Sequence, residues 1–233
     1  MTEDLQSRID TLAQWMADAD KLVVFTGAGI STDSGLPDFR GPDGVWTRRD
    51  KGLPPSEKKL DWTSVEPNVA HHVIVDLQTM DKLTFLISQN IDNLHLKSGI
   101  RPEILAELHG NLDQVRCTRC EATYPKTTSL TACECGGPFK SSVVGFGDSL
   151  PQKDLMESFQ HSQACDLFVV VGSSLVVTPA AEMPRLAAQA GAKLVIVNKG
   201  ETPLDHICHL RFSEDIASVM PPAIEQLKSI LGN

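Results

Sequence analysis

The glycines that follow an apolar run near the start of the chain are the first residues that suggest chemistry. Leu22–Phe25 are apolar, and Gly27-Ala28-Gly29 come directly after Thr26. A strand that ends in glycines and opens a helix presents backbone N–H groups that can hold phosphate, and glycine lets a ligand approach the backbone closely. The segment predicts a nucleotide at the carboxyl edge of a parallel sheet. A tight strand-to-helix turn with no ligand is the alternative.

The spacing within this segment differs from that of hydride-transfer enzymes. Their G-x-G-x-x-G/A fingerprint needs a third small residue, but Thr32 stands at that position. An acidic residue is also expected about 20 residues further on, at the end of a second strand. Asp50 lies near that distance, but the charged run around it has no strand pattern. The segment therefore favours a nucleotide-binding protein that is not an ordinary dehydrogenase.

Polar residues follow other β-like runs of the chain. Gln89-Asn90-Ile91-Asp92 come after one run, Gly172-Ser173-Ser174 after another and Asn198 after a further one, while His109 precedes a glycine shortly before the first cysteine. The carboxyl ends of parallel strands meet at one edge of a sheet. We therefore expect these groups to line a single ligand crevice.

Four of the six cysteines form two close pairs, Cys117-x-x-Cys120 and, twelve residues later, Cys133-x-Cys135. Four thiolates satisfy the tetrahedral preference of zinc and leave no open position, so the pattern predicts one structural zinc ion. The alternative is four ordinary reduced cysteines. Cys165 and Cys208 have no such partners and are predicted to be core residues.

Four β-like runs separated by helical patterns indicate the scaffold. The runs are Leu22–Thr26, Leu83–Ser88, Leu167–Val171 and Leu194–Val197, and helical spacing marks the N-terminus, Pro67–Met80 and Ala180–Ala190. Pro67 is expected at the first position of its helix. The alternation predicts βαβ units, a buried parallel sheet and an α/β fold.

Two segments interrupt this alternation. The composition changes between Cys117 and Phe139, which predicts a small insert that depends on its metal to fold. Gly41–Ser64 is irregular and rich in Gly, Pro and charge, and its length is typical of a mobile loop near a ligand.

The bulk composition limits the classes of function. The chain has 233 residues, is 41% hydrophobic and 22% charged, and carries a formal charge of −9. This balance is typical of a globular protein and disfavours direct nucleic-acid binding, whereas a cationic peptide would suit it. No apolar run is long enough to span a membrane and the N-terminus lacks a signal-peptide pattern, so we expect a cytoplasmic protein that does not bind membranes.

The motifs GAGIS, SGLPDFR, QNID, LHGN, VGSSL and IVN, with the paired cysteines, occur in that order. This ordered set resembles the sirtuins, the NAD-dependent protein-lysine deacylases, from about residue 20 to about residue 225. Asp38–Thr47 looks most like the branch with a short cofactor loop that includes certain nuclear sirtuins. The resemblance implies a Rossmann-like parallel-sheet domain with a small zinc-ribbon insert.

The resemblance also implies which residues hold NAD. They come from the glycine loop, the following flexible loop and the ends of the later strands: Gly27, Ala28, Gly29, Thr32, Asp38, Phe39, Arg40, Gln89, Asn90, Ile91, Asp92, Gly172, Ser173, Ser174, Asn198, Lys199, Asp215 and Ile216.

The implied catalytic residues are His109 as general base, with Asn90 and Asp92 at the nicotinamide ribose. An extended acyl-lysine peptide would bind between two segments as an added strand. Its implied contacts are Val144, Gly145, Phe146, Gly147, Leu175 and Val176. The metal ligands are implied to be the four paired cysteines.

Two residues depart from the usual sirtuin pattern. Asn93 stands where the family usually has Gly, and Asn tolerates a left-handed backbone. Asp148 replaces the usual Glu after Phe-Gly. The Tyr-x-x-Arg pair of the malonyl- and succinyl-removing class is absent near Trp46, which disfavours acidic acyl groups.

The resemblance predicts a single catalytic domain over residues 1–233 in two parts. The large Rossmann-like part spans about 1–40, 80–112 and 145–233, and the small part spans about 113–144 together with segment 41–79. The predicted activity is lysine deacylation, with acetyl first, transfer of the acyl group to ADP-ribose and release of nicotinamide. Protein mono-ADP-ribosyl transfer and a catalytically idle NAD-sensing or protein-binding module are the alternatives.

Overall fold

A computed structural model describes residues 2–41, 44–54, 62–145 and 147–232 of the chain. The helices are α1 Glu3–Asp18, α2 Val45–Asp50, α3 Val69–Thr79, α4 Leu94–Ser98, α5 Gln152–Ala164, α6 Glu182–Gln189 and α7 Ile216–Leu231. Ala28–Ser34, Trp62–Ser64 and Pro102–Ile104 form 3-10 helices. The strands are β1 Leu22–Thr26, β2 Leu83–Ser88, β3 Leu105–Glu107, β4 Gln114–Cys117, β5 Thr123–Pro125, β6 Phe139–Ser141, β7 Leu167–Val171, β8 Lys193–Val197 and β9 Leu210–Phe212.

Six strands form a parallel sheet in the order β3-β2-β1-β7-β8-β9. On one side of the sheet, β2 and β3 follow β1; on the other side, β8 and β9 follow β7. The strand order therefore reverses between β1 and β7, and in open α/β sheets ligands bind at the carboxyl ends of the strands at this reversal. This confirms the predicted Rossmann-like α/β fold.

Helices cover both faces of this sheet because side chains alternate along each strand. Leu22 and Val24 of β1 point to the layer of α1, α3 and α7, whereas Val23 and Phe25 point to the layer of α5 and α6. All five residues of β1 are buried, as expected of a central parallel strand.

A second sheet with antiparallel pairing forms the insert, with β4 between β5 and β6. Its first strand ends on Cys117, which brings the first cysteine pair into a turn. The sheet is small, and its outer strands are largely exposed.

Several predicted element boundaries needed correction. The helix predicted to begin at Pro67 begins at Val69, because the Asn68 side chain accepts the N–H of Ala70 and caps it. The segment predicted to be irregular after Gly41 contains α2. The strand predicted from Leu194 begins one residue earlier, at Lys193. Among the described residues, no helix combines the length and apolar composition needed to cross a membrane.

Candidate functional site

The turns after β1 and β7 touch each other through glycines. The Gly27 N–H donates to the Val171 carbonyl at 3.2 Å, and the Gly29 N–H donates to the Gly172 carbonyl at 2.8 Å. A Cβ on Gly29 would lie 2.8 Å from Gly172 Cα, and one on Gly172 would lie 2.4 Å from the Ile30 nitrogen. The glycines are therefore required for the close approach of the two turns at the strand-order reversal.

A 3-10 helix, rather than an α-helix, follows the β1 turn. It places Ser31 in the protein interior, while Thr32 is exposed and donates its hydroxyl to the Gly29 carbonyl at 2.9 Å. The glycine loop is thus held by the Thr32 side chain as well as by the β7 turn.

Ser31 links the two polar residues predicted to be catalytic. Its hydroxyl donates to Asp92 Oδ2 at 2.6 Å and accepts from Asn90 Nδ2 at 3.1 Å. Asp92 Oδ1 accepts the N–H of Leu94 at 3.0 Å. Burial raises the pKa of the Asp92 carboxyl, while the hydrogen bond from Ser31 opposes that shift. The three side chains form one buried polar cluster beside the glycine loop.

His109 has its ring orientation fixed by the end of β2. Its Nδ1 lies 2.8 Å from the Gln89 carbonyl oxygen. A carbonyl only accepts hydrogen bonds, so Nδ1 carries a proton and, in the neutral ring, Nε2 has the free lone pair. Burial lowers the pKa of His109, and the bond to the Gln89 carbonyl opposes this. The ring is therefore neutral at pH 7 and able to accept a proton at Nε2.

Gln89 also joins the end of β2 to the β7 turn. Its Nε2 donates to Ser173 Oγ at 2.7 Å, across the end of β1. The structure thus brings Gln89 and Ser173 to one edge of the sheet with the glycine loop, and Ser174 follows in the same turn.

The predicted adenine-side residues lie at the ends of β8 and β9. Lys199 pairs with Asp215 at 2.5 Å, and Asp215 is the N-cap of α7, directly before Ile216. Arg211 of β9 donates to the carbonyls of Asn198, Phe212 and Gly200 and pairs with Asp205. The loop that carries Asn198 and Lys199 is therefore held in place by the neighbouring strand.

The predicted flexible loop packs against α2. The ring centroids of Phe39 and Trp46 lie 4.9 Å apart, and the guanidinium of Arg40 lies 4.7 Å from the centroid of Trp46. Arg40 also pairs with Asp50 at 3.1 Å, and the Asp38 carbonyl accepts the N–H of Val45 at 3.0 Å. Asp50 therefore holds this loop, and Asp38, Phe39 and Arg40 form a unit with the start of α2.

A cavity of about 310 Å³ opens beside Asp92. Ile91, Trp62 and Leu112 give it an apolar wall, and Asp113 and Lys126 complete its lining. It provides a space of low polarity next to the buried polar cluster.

The two segments predicted to hold a peptide lie outside the sheets of the described structure. Val144 donates its N–H to the His109 carbonyl at 2.9 Å, which places this segment next to the histidine turn. Gly145 and Gly147 are exposed, and Phe146 lies outside the described residues. On the other side, Leu175 is buried with φ 54° and Val176 is exposed.

The four paired cysteines converge at one end of the small sheet. Their sulfur atoms all lie within 4.8 Å of one another, and the Cys117–Cys135 and Cys120–Cys133 sulfur pairs are each 3.5 Å apart. Zinc–sulfur bonds of about 2.3 Å in a tetrahedron require sulfurs roughly 3.8 Å apart. The donor set and its spacing therefore fit a tetrahedral zinc ion. As predicted, Cys165 is buried in the main core, whereas Cys208 is only partly buried beside it.

Three polar residues in or beside this region had no role in the sequence-based prediction. Ser31 joins Asn90 to Asp92, Asn111 is fully buried beside the His109 turn, and Glu107 accepts from Asn111 Nδ2 at 2.7 Å. Ser31 and Asn111 occur within motifs that the sequence shows, but the Ser31 partners lie about 60 positions away along the chain and Asn111 bonds Asn93, 18 positions away.

Comparison with protein-family models matches residues 56–179 to the Sir2 family. A protein of Bradyrhizobium diazoefficiens named NAD-dependent protein deacetylase 1 is 36% identical over 96% of this chain and 98% of its own. A protein of Archaeoglobus fulgidus named NAD-dependent protein deacylase 2 is 38% identical over 97% of this chain and 98% of its own.

Solved structures share the fold over nearly the full length. One described as bearing on the mechanism and regulation of Sir2 enzymes superposes with a TM-score of 0.77 at 36% identity, over 97% of this chain and 99% of that chain. One described as Sir2 with a p53 peptide and NAD⁺ gives a TM-score of 0.73 at 33% identity, over 97% and 98%. One described as Sir2 bound to an acetylated peptide gives 0.73 at 32% identity, over 96% and 98%.

Proposed function

This chain belongs to the Sir2 family, and we propose that it is an NAD-dependent protein-lysine deacetylase that moves the acyl group to ADP-ribose and releases nicotinamide. The relatives carry the names of NAD-dependent deacetylases and deacylases, and related structures hold NAD and acetylated peptides. The observation that carries the proposal is that His109 bonds the Gln89 carbonyl, directly before Asn90, so that it lies with the Ser31–Asn90–Asp92 cluster at the carboxyl edge of the sheet. Neither alternative, ADP-ribosyl transfer to protein or an idle sensor, is favoured by a separate feature.

NAD fits the edge of the sheet where these groups converge. The glycine turns after β1 and β7 would receive the phosphates, and Ser173, Asn198 and the Lys199–Asp215 pair would receive the adenosine half. Asp38, Phe39 and Arg40 would cover the cofactor from the loop packed on α2. When bound, NAD supplies the ribose that leaves nicotinamide and accepts the acyl group.

Asn90 and Asp92 would hold the nicotinamide end. Both side chains already have hydrogen-bond partners, so their orientation is fixed before ligand arrives. Fixed polar groups in a site shielded from water stabilise charge that develops during bond cleavage. The apolar wall of Ile91, Trp62 and Leu112 would limit the access of water from that side.

His109 acts as the general base. Its Nε2 is unprotonated at pH 7 because Nδ1 donates to the Gln89 carbonyl and burial lowers the pKa. It would accept a proton from a ribose hydroxyl, a role typically worth 10²–10⁴-fold in rate. The rate should therefore fall as pH drops through a pKa below 6.5.

The acyl-lysine peptide would bind between Val144–Gly147 and Leu175–Val176. Exposed backbone at Gly145 and Gly147 and the exposed side chain of Val176 leave room for an added strand. The Val144 carbonyl would accept the acyl-lysine N–H, since its own N–H is used by the His109 carbonyl. The net charge of −9 supports a cationic protein segment as substrate and argues against direct nucleic-acid binding.

Zinc would be held by Cys117, Cys120, Cys133 and Cys135, with a structural role because four thiolates close its coordination shell. The division into a large part and a small zinc-bearing part stays a prediction from the family resemblance. The cytoplasm is the proposed location, because reduced thiols and zinc–thiolate sites are typical of that compartment.

One incubation distinguishes the three functions. Purified protein is mixed with NAD and an acetyl-lysine peptide, and the products are identified by mass spectrometry. The proposal expects deacetylated peptide, nicotinamide and O-acetyl-ADP-ribose. ADP-ribose attached to protein would support the transferase, and bound NAD without nicotinamide release would support the sensor.

The His109→Ala variant tests the assigned base in the same assay. We expect at least a 10²-fold loss of deacetylation with an unchanged fold by circular dichroism. His72→Ala is the matched control, because His72 is an exposed histidine on α3. Full activity of His109→Ala would overturn the assignment.

A further inference from the structure

Asn111 has every polar group of its side chain engaged in the protein interior. It is fully buried, and its Nδ2 donates to Asn93 Oδ1 at 2.9 Å and to Glu107 Oε1 at 2.7 Å. Its Oδ1 accepts the N–H of Asp113 at 2.9 Å. A primary amide has two N–H donors, and both are used here. One side chain therefore joins three chain segments.

The first arm of this network reaches the loop of Asp92. Asn93 follows Asp92 directly and adopts a left-handed backbone with φ 65°. Its Nδ2 donates to Asp113 Oδ2 at 2.9 Å while its Oδ1 accepts from Asn111. Both ends of the Asn93 amide are thus fixed, and with them the backbone that carries the Asp92 carboxylate.

The second arm reaches the segment predicted to bind peptide. The Asn111 N–H donates to Ser142 Oγ at 2.8 Å, and the same hydroxyl donates to the Asn111 carbonyl at 2.8 Å. Ser142 is 2% exposed and stands two residues before Val144, whose N–H donates to the His109 carbonyl. The peptide segment and the His109 turn are therefore tied together through Asn111 and Ser142.

We propose that Asn111 is a positioning residue that holds the Asp92 loop and the peptide segment in register with His109. It does so through two separable arms, its side-chain bond to Asn93 and its backbone bonds to Ser142. This inference rests on the proposed deacetylase function. The Asn93 arm acts on the NAD side, since it fixes Asp92. The Ser142 arm acts on the peptide side, since it fixes Val144.

Two single-arm variants separate these effects from a loss of stability. Asn93→Gly removes the first arm and suits the left-handed backbone, so it adds no conformational strain. Ser142→Ala removes the second arm. Steady-state rates are measured with NAD and an acetyl-lysine peptide varied in turn, and the melting temperature is measured for each variant.

We expect Asn93→Gly to raise the KM for NAD roughly 3- to 10-fold, the size of one or two hydrogen bonds, with the KM for peptide unchanged. Ser142→Ala should raise the KM for peptide by a similar factor, with the KM for NAD unchanged. Asn111→Ala removes the side-chain bonds to Asn93 and Glu107 but keeps the backbone bonds to Ser142, so it should raise the KM for NAD at least as much as Asn93→Gly and leave the KM for peptide unchanged; if it fails to fold, the single-arm variants carry the test.

Asp81→Gly is the matched control, because Asp81 is exposed, has φ 54° and lies between α3 and β2, away from this network. It should leave both KM values unchanged. Equal shifts of both KM values in each variant, or a lower melting temperature with both KM values unchanged, would show a purely structural role and overturn the inference.

A wild-type protein that releases no nicotinamide would overturn the proposed function itself, whereas an active wild type with unaffected variants would overturn only the role of Asn111.

Discussion

Glu107 places a carboxyl group beneath the His109 turn, in contact with Asn111. Burial raises its pKa to about 8, and the nearby carboxyls of Asp154 and Asp92 add to this shift, while the Asn111 hydrogen bond and Arg116 oppose it. Asp154 of α5 pairs with Arg116 of β4 at 3.5 Å, and burial raises its pKa to about 6. These titratable side chains connect the sheet edge to the insert.

The raised pKa of Glu107 predicts a stability that depends on pH. The folded state keeps the Glu107 proton where the unfolded chain has lost it, so the stabilisation is complete below about pH 4.5 and is lost as pH rises through about 8. Between pH 7 and 9 the free energy of unfolding should fall by about 1 kcal/mol, or a few degrees in melting temperature. Glu107→Gln keeps an acceptor for Asn111 without the titration, so this fall should disappear.

The measurement is a series of thermal melts from pH 7 to 9, a window above the pKa of Asp154. Glu103→Gln is the control, because Glu103 is an exposed glutamate on the preceding 3-10 helix. An identical slope in wild type and Glu107→Gln would show that this carboxyl does not titrate in that range.

The sequence identified the residue types at the strand ends but not how they connect. Asn90 and Asp92 stand in a short motif whose place after a predicted strand indicates a ligand edge, whereas the role of His109 came from the resemblance to the sirtuins. Ser31 stands in such a motif too, but its role depends on a partner 61 positions away along the chain. Glu107 looks like an ordinary strand-end glutamate, since only its surroundings in the fold, Asp154 of α5 among them, show that its pKa is raised.

At the level of elements, the contact between the β1 and β7 turns is a steric requirement that can be tested. Gly172 has φ 68°, and a Cβ there would lie 2.4 Å from the Ile30 nitrogen. Gly191 has φ 99° but no atom within 4 Å of such a Cβ. Gly191→Ala should cost about 1–2 kcal/mol from the left-handed backbone alone. Gly172→Ala adds a backbone clash and should cost clearly more.

Urea unfolding of the two alanine variants measures this difference. We also expect Gly172→Ala to weaken the binding of ADP-ribose, because the β1 turn must shift, and Gly191→Ala to leave it unchanged. Equal stability losses in the two variants would mean that the turns can separate without cost.

The structural role of the zinc ion can be tested on the small sheet β4–β6. Its strands have three or four residues each, which is too little apolar surface to fold alone, so the zinc ion should stabilise it. We expect one zinc per chain by elemental analysis, and we expect a chelator to lower the melting temperature and make four more thiols reactive. Cys208→Ser is the control, since Cys208 lies outside the cluster and should leave the zinc content unchanged. An unchanged melting temperature after complete metal loss would contradict a structural role.

Element prediction succeeded for strands that are buried along their whole length and failed where an element is short or its apolar pattern is weak. β1, β2 and β7 have the predicted bounds because central parallel strands form continuous apolar runs. β3 and β9 have only three residues each, which is too short for a periodic pattern. α5 was missed because the few apolar residues in its sequence give a weak helical pattern.

At the level of the whole molecule, the strand order explains how distant motifs reach one site. β1 and β7 are separated by 140 positions of sequence and pair directly, because the chain first builds β2 and β3 on one side and then returns. Alternating helices and strands predict a parallel sheet but not its strand order. The ends of all parallel strands share one edge, but only this order shows that the polar residues after β2, β1 and β7 are neighbours along it.

The net charge of −9 predicts opposite salt effects for the two substrates. An acidic protein attracts a lysine-rich peptide and repels the phosphates of NAD, and added salt screens both interactions, with a Debye length of about 10 Å at 0.1 M and 3 Å at 1 M. Raising NaCl from about 0.05 to 0.5 M should increase the KM for a basic acetyl-lysine peptide several-fold. The KM for NAD should stay constant or fall.

The same peptide with glutamates flanking the acetyl-lysine is the matched control, because its KM should fall or stay constant with salt. If both peptides respond equally, the acidic surface does not select the substrate and recognition depends on the backbone contacts of the Val144 segment alone.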